Sequence, residues 1–158
     1  MQTVQTADAE AVMEYRRGEF LISTDRARLS LDVTHGFLTN CYWAKGIPRE
    51  IVERSIEHAL CFGIYRDGGE QVGFARVISD FATIAYVGDV FILEKHRGRG
   101  LGKWLMQCIT QHPALQGLRR WILTTRDAHG LYSQVGFTPV KSPERFMELH
   151  NPNVYEAL

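Results

Sequence analysis

The sequence predicts an α/β protein built on one mixed sheet of about six to seven strands, with about four helices covering its faces. Two observations carry this prediction. Apolar residues alternate between strand-like runs and helix-like spacings of three and four residues, in the order β-αα-βββ-α-β-α-ββ. The chain has 158 residues, of which 45% are hydrophobic, which is enough for one well-formed core and short for two. A single sheet with helices on both faces is the economical packing for that order.

One domain is expected over residues 19–158, after a polar and weakly patterned lead-in over residues 1–18. Glu19–Thr24 is an apolar run typical of a first strand. Asp32 is suited to cap a helix that continues to about Trp43, because its carboxylate can accept from the free N–H groups of a first turn. Pro48 fits the first turn of a second helix, since that position needs no N–H donor.

The middle of the chain predicts a hairpin followed by a central strand. Asp67-Gly68-Gly69 separates the apolar runs Cys61–Tyr65 and Gln71–Ile78, and this combination is a strong hairpin signal. Thr83–Leu93 is too apolar to have a face in water, so we expect it at the centre of the sheet. Gly88 inside it indicates a bulge or a place where a ligand approaches the main chain.

The remaining elements follow in the C-terminal half. They are a helix ending near His112, a buried strand over Arg120–Thr125, a short helix over Ala128–Val135, and a closing strand pair formed by Phe137–Lys141 and Arg145–Leu149. Pro113 ends the first of these helices and Gly136 the second.

Charge and cysteine content narrow the class of protein. The 18 basic and 18 acidic residues balance, which argues against a dedicated nucleic-acid binder or a membrane-surface protein. No apolar run approaches the roughly 20 residues that a membrane span needs. The first residues lack the pattern of a signal peptide, so we expect a cytoplasmic protein. Cys41, Cys61 and Cys108 are far apart and suit reduced, buried thiols better than a disulfide or zinc framework.

An apolar strand, a basic glycine-rich turn and a helix start follow one another between Asp89 and Gly102. Glycines let the main chain approach a ligand closely, and the first N–H groups of a helix have no partner within it. The positive end of the helix dipole adds to these donors. The stretch therefore predicts a phosphate site.

The spacing within this stretch decides between nucleotide motifs. Lys103 is followed by Trp104 where a P-loop needs Ser or Thr, and Lys103 stands where a dinucleotide fingerprint needs its third Gly. The pattern [R/Q]-x-x-G-x-[G/A] does fit, through Arg97, Gly100 and Gly102. This loop resembles the acyl-CoA pyrophosphate loop of the GNAT N-acetyltransferase superfamily.

A second segment carries the same resemblance. Residues 128–137, AHGLYSQVGF, are similar to the A-x-x-L-Y-x-x-x-G-F element that follows the next strand in GNAT enzymes. Two short motifs in the right order are much harder to obtain by chance than one. The resemblance covers roughly residues 19–149 and implies the acyl-CoA N-acyltransferase fold, with a mostly antiparallel twisted sheet and a splayed central strand.

The resemblance implies an acyltransferase that uses acetyl-CoA as co-substrate and no metal. It implies that the main chain of the splayed strand pairs with the pantetheine arm, with an N–H near Phe91 aimed at the thioester oxygen. Thr125 stands where many members carry an Asn that touches that arm, so a contact from it is in doubt. The residues implied for the cofactor are Phe91, Ile92, Leu93, Arg97, Gly98, Arg99, Gly100, Leu101, Gly102, Lys103, Thr125 and Tyr132.

Two residues are candidates for proton transfer. Tyr132 matches the family's general acid, and a phenol with an unperturbed pKa of about 10 can protonate a departing thiolate. Asp89 is a candidate base for the acceptor ammonium, directly or through water, although a structural role at a bulge is an equal alternative. Glu94 and His129 are weaker candidates, since each is expected to face solvent.

The acceptor pocket is expected between the first predicted helix and the start of the central strand. Candidates to bind the acceptor are His35, Phe37, Tyr42, Trp43, Arg76, Asp80 and Tyr86. Asp80 would receive a cationic amine and Arg76 a carboxylate, and the sequence leaves both open. The acceptor is expected to be a small-molecule amine, with a protein or peptide amine as an alternative.

Other functions are also open at this point. An acyl-CoA sensor without turnover would keep the same loop, although the retained Tyr132 leans against it. A nucleic-acid-binding domain would use Arg97, Arg99, Lys103 and Trp104, which the neutral overall charge disfavours. We expect no nucleic-acid or membrane partner, and a homodimer is left open.

Overall fold

The computed structural model describes residues 8–157, which form one six-stranded sheet in the order β1-β2-β3-β4-β5-β6 with helices on both faces. The strands are β1 Glu14–Arg17, β2 Phe20–Ser23, β3 Leu60–Arg66, β4 Gln71–Ser79, β5 Ile84–Ile92 and β6 Arg120–Ile122. The helices are α1 Leu31–Leu38, α2 Arg49–Glu57, α3 Leu101–Thr110 and α4 His129–Ser133. None of the helices in this part of the chain is both long and apolar enough to cross a bilayer.

The sheet is mixed and mostly antiparallel, as predicted. Each strand from β1 to β5 pairs antiparallel with its neighbour, and only β5 and β6 run parallel. Their pairing is short, because it joins only Ile84–Tyr86 to Arg120–Ile122. Beyond Tyr86 the two strands part, so no strand within residues 8–157 pairs with the second half of β5 on that side. This fork is the splay that the resemblance implied.

Two apolar clusters hold the layers together, one on each face of the sheet. The α3 and α4 side buries residues such as Phe62, Leu105 and Ile109, all without measurable exposure. The α1 and α2 side buries Leu38, Val52, Phe74 and Phe91, with Leu93 packed against them. The apolar stripe of each helix therefore faces the sheet, and its polar side faces solvent.

The predicted β3–β4 hairpin is confirmed. Gly68 and Gly69 have φ angles of 96° and 91°, a left-handed conformation that disfavours residues with a Cβ. The N–H of Gly69 donates to the carbonyl of Arg66 at 2.9 Å and closes the turn. The Gly68-Gly69 pair, on which the hairpin prediction rested, thus forms the turn.

The lead-in prediction is wrong for residues 14–17, which form β1 and pair with β2. This strand is polar and lies at the sheet edge, so it lacks the apolar run from which a strand is predicted. Residues 1–7 of the predicted lead-in lie outside the described residues.

The first helix also starts and stops earlier than predicted. Ser30, not Asp32, caps α1 by accepting from the N–H of Val33 at 3.2 Å. Asp32 lies in the first turn and pairs with Arg49 at 2.7 Å. The helix ends at Leu38, and residues 39–46 form turns that lead to α2.

The predicted closing strand pair is wrong. Within residues 8–157, neither 137–141 nor 145–149 joins the sheet, and Pro143–Arg145 forms a short 3-10 turn instead. Pro139 and Pro143 lack the N–H that a strand ladder needs, which explains the failure. The strand predicted over Arg120–Thr125 shortens to β6, which is only half-buried, and a cavity of about 680 Å³ lies between it and the C-terminal segment.

We expect Gly73→Ala to destabilise the fold by about 1–3 kcal/mol, because a Cβ there has no room. It would lie 3.0 Å from the carbonyl oxygen of Phe91 and 2.9 Å from the Cδ1 of Ile92, on the facing strand. Gly36→Ala is the matched control, since nothing lies within 4 Å of its Cβ and Ala favours the helix by up to about 1 kcal/mol. Urea unfolding measures both, and equal stability of the Gly73 variant and wild type would contradict the close β4–β5 approach.

Candidate active site

The candidate site is the fork between β5 and β6, where main-chain groups of β5 face open space. On the inner side, the N–H of Leu93 donates to the carbonyl of Val72 in β4 at 2.8 Å. On the outer side, the carbonyl of Ile92 accepts from Nε of Arg97 at 2.8 Å. Since successive residues of a strand point to opposite edges, the N–H groups of Val90 and Ile92 face the fork, and that of Phe91 faces β4.

The resemblance implied that an N–H near Phe91 faces the ligand. Of Phe91, Ile92 and Leu93, only Ile92 presents its N–H to the fork, and the N–H of Val90 faces the fork as well. The side chains of Phe91 and Leu93 pack into the α1 and α2 cluster, as expected for core residues.

A β-bulge sets that alternation. Phe74 pairs with Phe91 and Arg76 with Gly88, so that Asp89 and Val90 both lie opposite Ala75. Asp89 has a φ of 54°, a left-handed conformation uncommon for a residue with a side chain. The bulge that Gly88 suggested is therefore one residue further along the chain.

The phosphate loop follows β5 and ends at the start of α3. Gly98 and Gly100 have φ angles of 79° and 75°, and Gly100 caps the helix in the left-handed conformation. The N–H groups of residues 98–103 donate to no other residue in the described part of the chain, and the first bond of the helix runs from Trp104 to Gly100 at 3.1 Å. Six successive free donors with a positive helix end suit a pyrophosphate.

Four basic side chains surround this loop. Arg97 and Lys103 are exposed and form no ion pair with a described residue, whereas Arg99 pairs with Glu19 at 3.2 Å. Arg17 of β1 places its guanidinium 5.2 Å from the centre of the Trp104 ring and donates to the carbonyl of Arg99 at 3.4 Å. The sequence analysis missed Arg17 because it lies in the predicted lead-in, 80 residues before the loop that it reaches.

Tyr132 lies on α4, just beyond the fork, and is only 9% exposed. Burial raises the pKa of its phenol, with smaller contributions from the neighbouring Tyr42 and Asp127. Its hydroxyl forms no hydrogen bond with another described residue and is thus free for a ligand. Thr125 is engaged locally, since its hydroxyl accepts from the N–H of Ala128 at 3.0 Å.

Asp89 is held on both carboxylate oxygens. Arg76 of β4 donates from Nε to one oxygen at 2.9 Å, and Trp43 from the α1–α2 loop donates from Nε1 to the other at 3.0 Å. The Asp89 and Arg76 side chains are 12% and 19% exposed, so this ion pair is largely shielded from water. An acid in this arrangement is better placed to hold structure than to take a proton.

Two of the predicted acceptor residues are engaged elsewhere. Asp80 lies in the β4–β5 turn, where its carboxylate accepts from the N–H groups of Ala82, Thr83 and Ile84 and from the Thr83 hydroxyl, which lower its pKa. This turn is at the end of β5 away from the phosphate loop. His35 bonds the carbonyl of Ile47 at 2.9 Å and ties α1 to the loop before α2. The structure thus gives both residues local turn and packing roles, and their acceptor contacts stay a prediction.

The other predicted acceptor residues lie on α1, the α1–α2 loop, β4 and β5. Phe37 stacks on Phe91 with ring centres 4.0 Å apart, and Tyr42 and Trp43 form an edge-to-face pair. The Tyr42 ring lies 3.8 Å from the guanidinium carbon of Arg126, in the segment before α4. Tyr86 spans the base of the fork, with its hydroxyl 3.4 Å from that of Thr124.

Two further candidates for the base lie on the surface. Glu94 is exposed in the 3-10 turn after β5, and His129 is exposed at the start of α4.

No cluster of three or more His, Cys, Asp or Glu side chains suited to a metal ion occurs within residues 8–157.

The sequence profile of the Acetyltransferase (GNAT) domain matches residues 57–139, which include the fork, the phosphate loop and α4. This match covers more than half of the chain. The chain belongs to the GNAT acetyltransferase family. It is accordingly an acyltransferase, and its fold is the one that the two sequence motifs implied.

Relatives of this GNAT protein span most of its length. A Gibberella zeae protein with an acetyltransferase name is 34% identical over 142 residues, covering 76% of this chain and 79% of the relative. A peptidyl-lysine N-acetyltransferase of Salmonella typhimurium is 32% identical over 124 residues, covering 78% of each. A crystal structure assigned to the GNAT family from Xanthomonas campestris pv. campestris has 51% identity and a TM-score of 0.84, covering 89% of this chain and 99% of that one.

We expect Arg17→Gln to weaken acetyl-CoA binding about fivefold at low salt and less at high salt. The substitution removes one exposed positive charge beside the phosphate loop, and salt screens the effect of such a charge. Arg16→Gln is the matched control, since Arg16 is the next residue of β1 but pairs with Asp67 at 3.4 Å, away from the loop. Calorimetric titration with acetyl-CoA measures both variants. Equal affinities of the two variants would exclude Arg17 from the donor site.

Proposed function

We propose that this GNAT protein transfers the acetyl group of acetyl-CoA to a primary amine of a small molecule, by direct attack in a ternary complex. One observation carries the proposal. The outward N–H groups of Val90 and Ile92 lie on the same strand that leads into the free donors of residues 98–103. A ligand with an amide-bearing arm and a pyrophosphate matches that sequence of donors.

The donor would bind mostly to main chain. The pantetheine arm would pair with the open edge of β5 as an added strand would, because the β5–β6 pairing ends at Tyr86. The pyrophosphate would accept from the N–H groups of the phosphate loop, with Arg97, Lys103 and Arg17 supplying charge around it.

The reaction requires an oxyanion site and a proton donor. When the amine attacks the thioester carbonyl, negative charge develops on the carbonyl oxygen, and an N–H from Val90 or Ile92 would stabilise it. The carbon–sulfur bond then breaks, and the thiolate takes the proton of the Tyr132 hydroxyl. The proton that the attacking nitrogen loses would pass through water and restore the Tyr132 phenol. Holding both substrates in one cleft lowers the barrier by several kcal/mol through orientation alone.

The acceptor would enter between the α1–α2 loop and β6, near Phe37, Trp43, Arg76 and Tyr86. Aromatic side chains with one ion pair suit a small amine that carries an apolar part.

The three cysteines are free, and two of them are buried, which suits a reducing compartment such as the cytoplasm.

A lysine side chain of a protein is the second candidate acceptor. The Salmonella typhimurium relative is a peptidyl-lysine N-acetyltransferase, and this observation favours it. The test compares a panel of small amines with lysine peptides and follows released CoA thiol and acetylated product by mass spectrometry. Faster turnover of peptides would replace the small-molecule proposal, and no thiol release from any acceptor would support a sensor that binds acyl-CoA without turnover.

We expect Tyr132→Phe to lower kcat by about 100-fold and to leave acetyl-CoA affinity within about twofold, because only the proton donor is lost. Since burial raises the pKa of Tyr132 above its usual value of about 10, a fall of wild-type kcat caused by loss of this proton should have its midpoint above about pH 10.

Tyr15→Phe is the control for this substitution, since Tyr15 lies in β1 and packs against the core. Steady-state rates across pH and calorimetry measure the two variants. An unchanged kcat in Tyr132→Phe at every pH would remove the proposed proton donor.

A further inference from the structure

Asp89 joins three segments of the protein that meet at the fork. It lies in the bulge of β5, and its carboxylate contacts Arg76 of β4 at 2.9 Å and Trp43 of the α1–α2 loop at 3.0 Å. These partners are 13 and 46 residues away in sequence. An Asp in the left-handed region usually bonds its own neighbouring main chain. Here both oxygens bond distant side chains instead.

The bulge determines which way the following residues point. A one-residue insertion in a strand exchanges the two faces and the two edges for every residue after it. In the observed register, Val90 and Ile92 pack toward the α3 side, and Phe91 and Leu93 toward the α1 side. Without the bulge, these four residues would exchange sides, and a different pair of N–H groups would face the fork.

Trp43 extends the contact to the acceptor side. Its ring lies 6.0 Å from that of Phe37 and 5.1 Å from that of Tyr42, and Tyr42 stacks on Arg126 at 3.8 Å. Arg126 belongs to the segment that leads into α4 and Tyr132. The loop that borders the acceptor is therefore connected to Asp89 on one side of the fork and to the Tyr132 helix on the other.

We infer that Asp89 is a positioning residue, whose contacts with Arg76 and Trp43 hold the bulge and thereby aim the outward N–H groups at the donor thioester. The same contacts hold the α1–α2 loop at the distance where an acceptor meets that thioester. This inference rests on the proposed function and develops the structural one of the two alternatives that the sequence left open for Asp89.

The first test is kinetic and uses a double-mutant cycle. Asp89→Asn and Trp43→Phe should lower kcat by about 10- to 100-fold and about tenfold, respectively. Acetyl-CoA affinity should change less than about threefold, because the phosphate loop is untouched. The double variant should be about as slow as Asp89→Asn alone, since Trp43→Phe removes a contact that Asp89→Asn already weakens. The pH dependence of kcat/KM should keep its wild-type shape in all three variants.

Other kinetic outcomes would overturn the inference. Loss of the ascending limb of the pH profile in Asp89→Asn, with Trp43→Phe at wild-type activity, would assign Asp89 as the base. Additive losses in the double variant would show that the two side chains act separately. Glu53→Gln is the matched control, since Glu53 is an exposed carboxylate on α2 and forms no ion pair with a described residue. Thermal unfolding of each variant checks that it folds.

The second test does not need activity, so it separates failure of this inference from failure of the proposed function. In the ¹H–¹⁵N spectrum of the full chain, the Trp43 indole signal is identified by its absence from Trp43→Phe. Asp89→Ala removes both acceptor oxygens, so it should shift that signal and speed its exchange with water, while the Trp104 and Trp121 signals stay in place. An unmoved Trp43 signal in a folded Asp89→Ala variant would overturn the contact, whether or not the protein acetylates any amine.

Discussion

The site depends on one constraint: in the second half of β5, the main-chain groups on one edge must stay unpaired. A ligand can pair with main chain only where no neighbouring strand does so, and the short β5–β6 ladder ends after three residue pairs. The parallel pairing near Tyr86 fixes where the fork begins. Sheet geometry, rather than a set of side chains, therefore provides the main binding surface.

A bare strand edge carries a cost, because unpaired N–H and C=O groups lose hydrogen bonds when water is excluded. Arg97 reduces this cost by satisfying the carbonyl of Ile92, which leaves the N–H of that residue as the group offered to a ligand.

The sequence predicted the features that depend on local chemistry. Glycines indicated both the Asp67-Gly68-Gly69 hairpin and the phosphate loop. In the structure these glycines adopt the left-handed conformation, at Gly68, Gly69, Gly98 and Gly100. The edge strand β1 was missed because its residues are polar, and its strand state comes from pairing with β2. The strand pair over residues 137–149 was predicted from apolar content alone, although Pro139 and Pro143 argue against a ladder.

The charged residues of the site could not be assigned from the sequence, because their partners are far away along the chain. Asp80 and Arg76 were opposite candidates for binding the acceptor, and Asp89 was a candidate base, until the structure showed a local turn around Asp80 and an ion pair between the other two. Because each oxygen of Asp89 holds a distant side chain, we infer a structural role for it rather than that of the base. A free amine in water, with a pKa near 10, is about 0.1% neutral at pH 7. Direct attack by that fraction, with water carrying the proton away, needs no protein base, so the fork need only position the substrates and protonate the leaving thiolate.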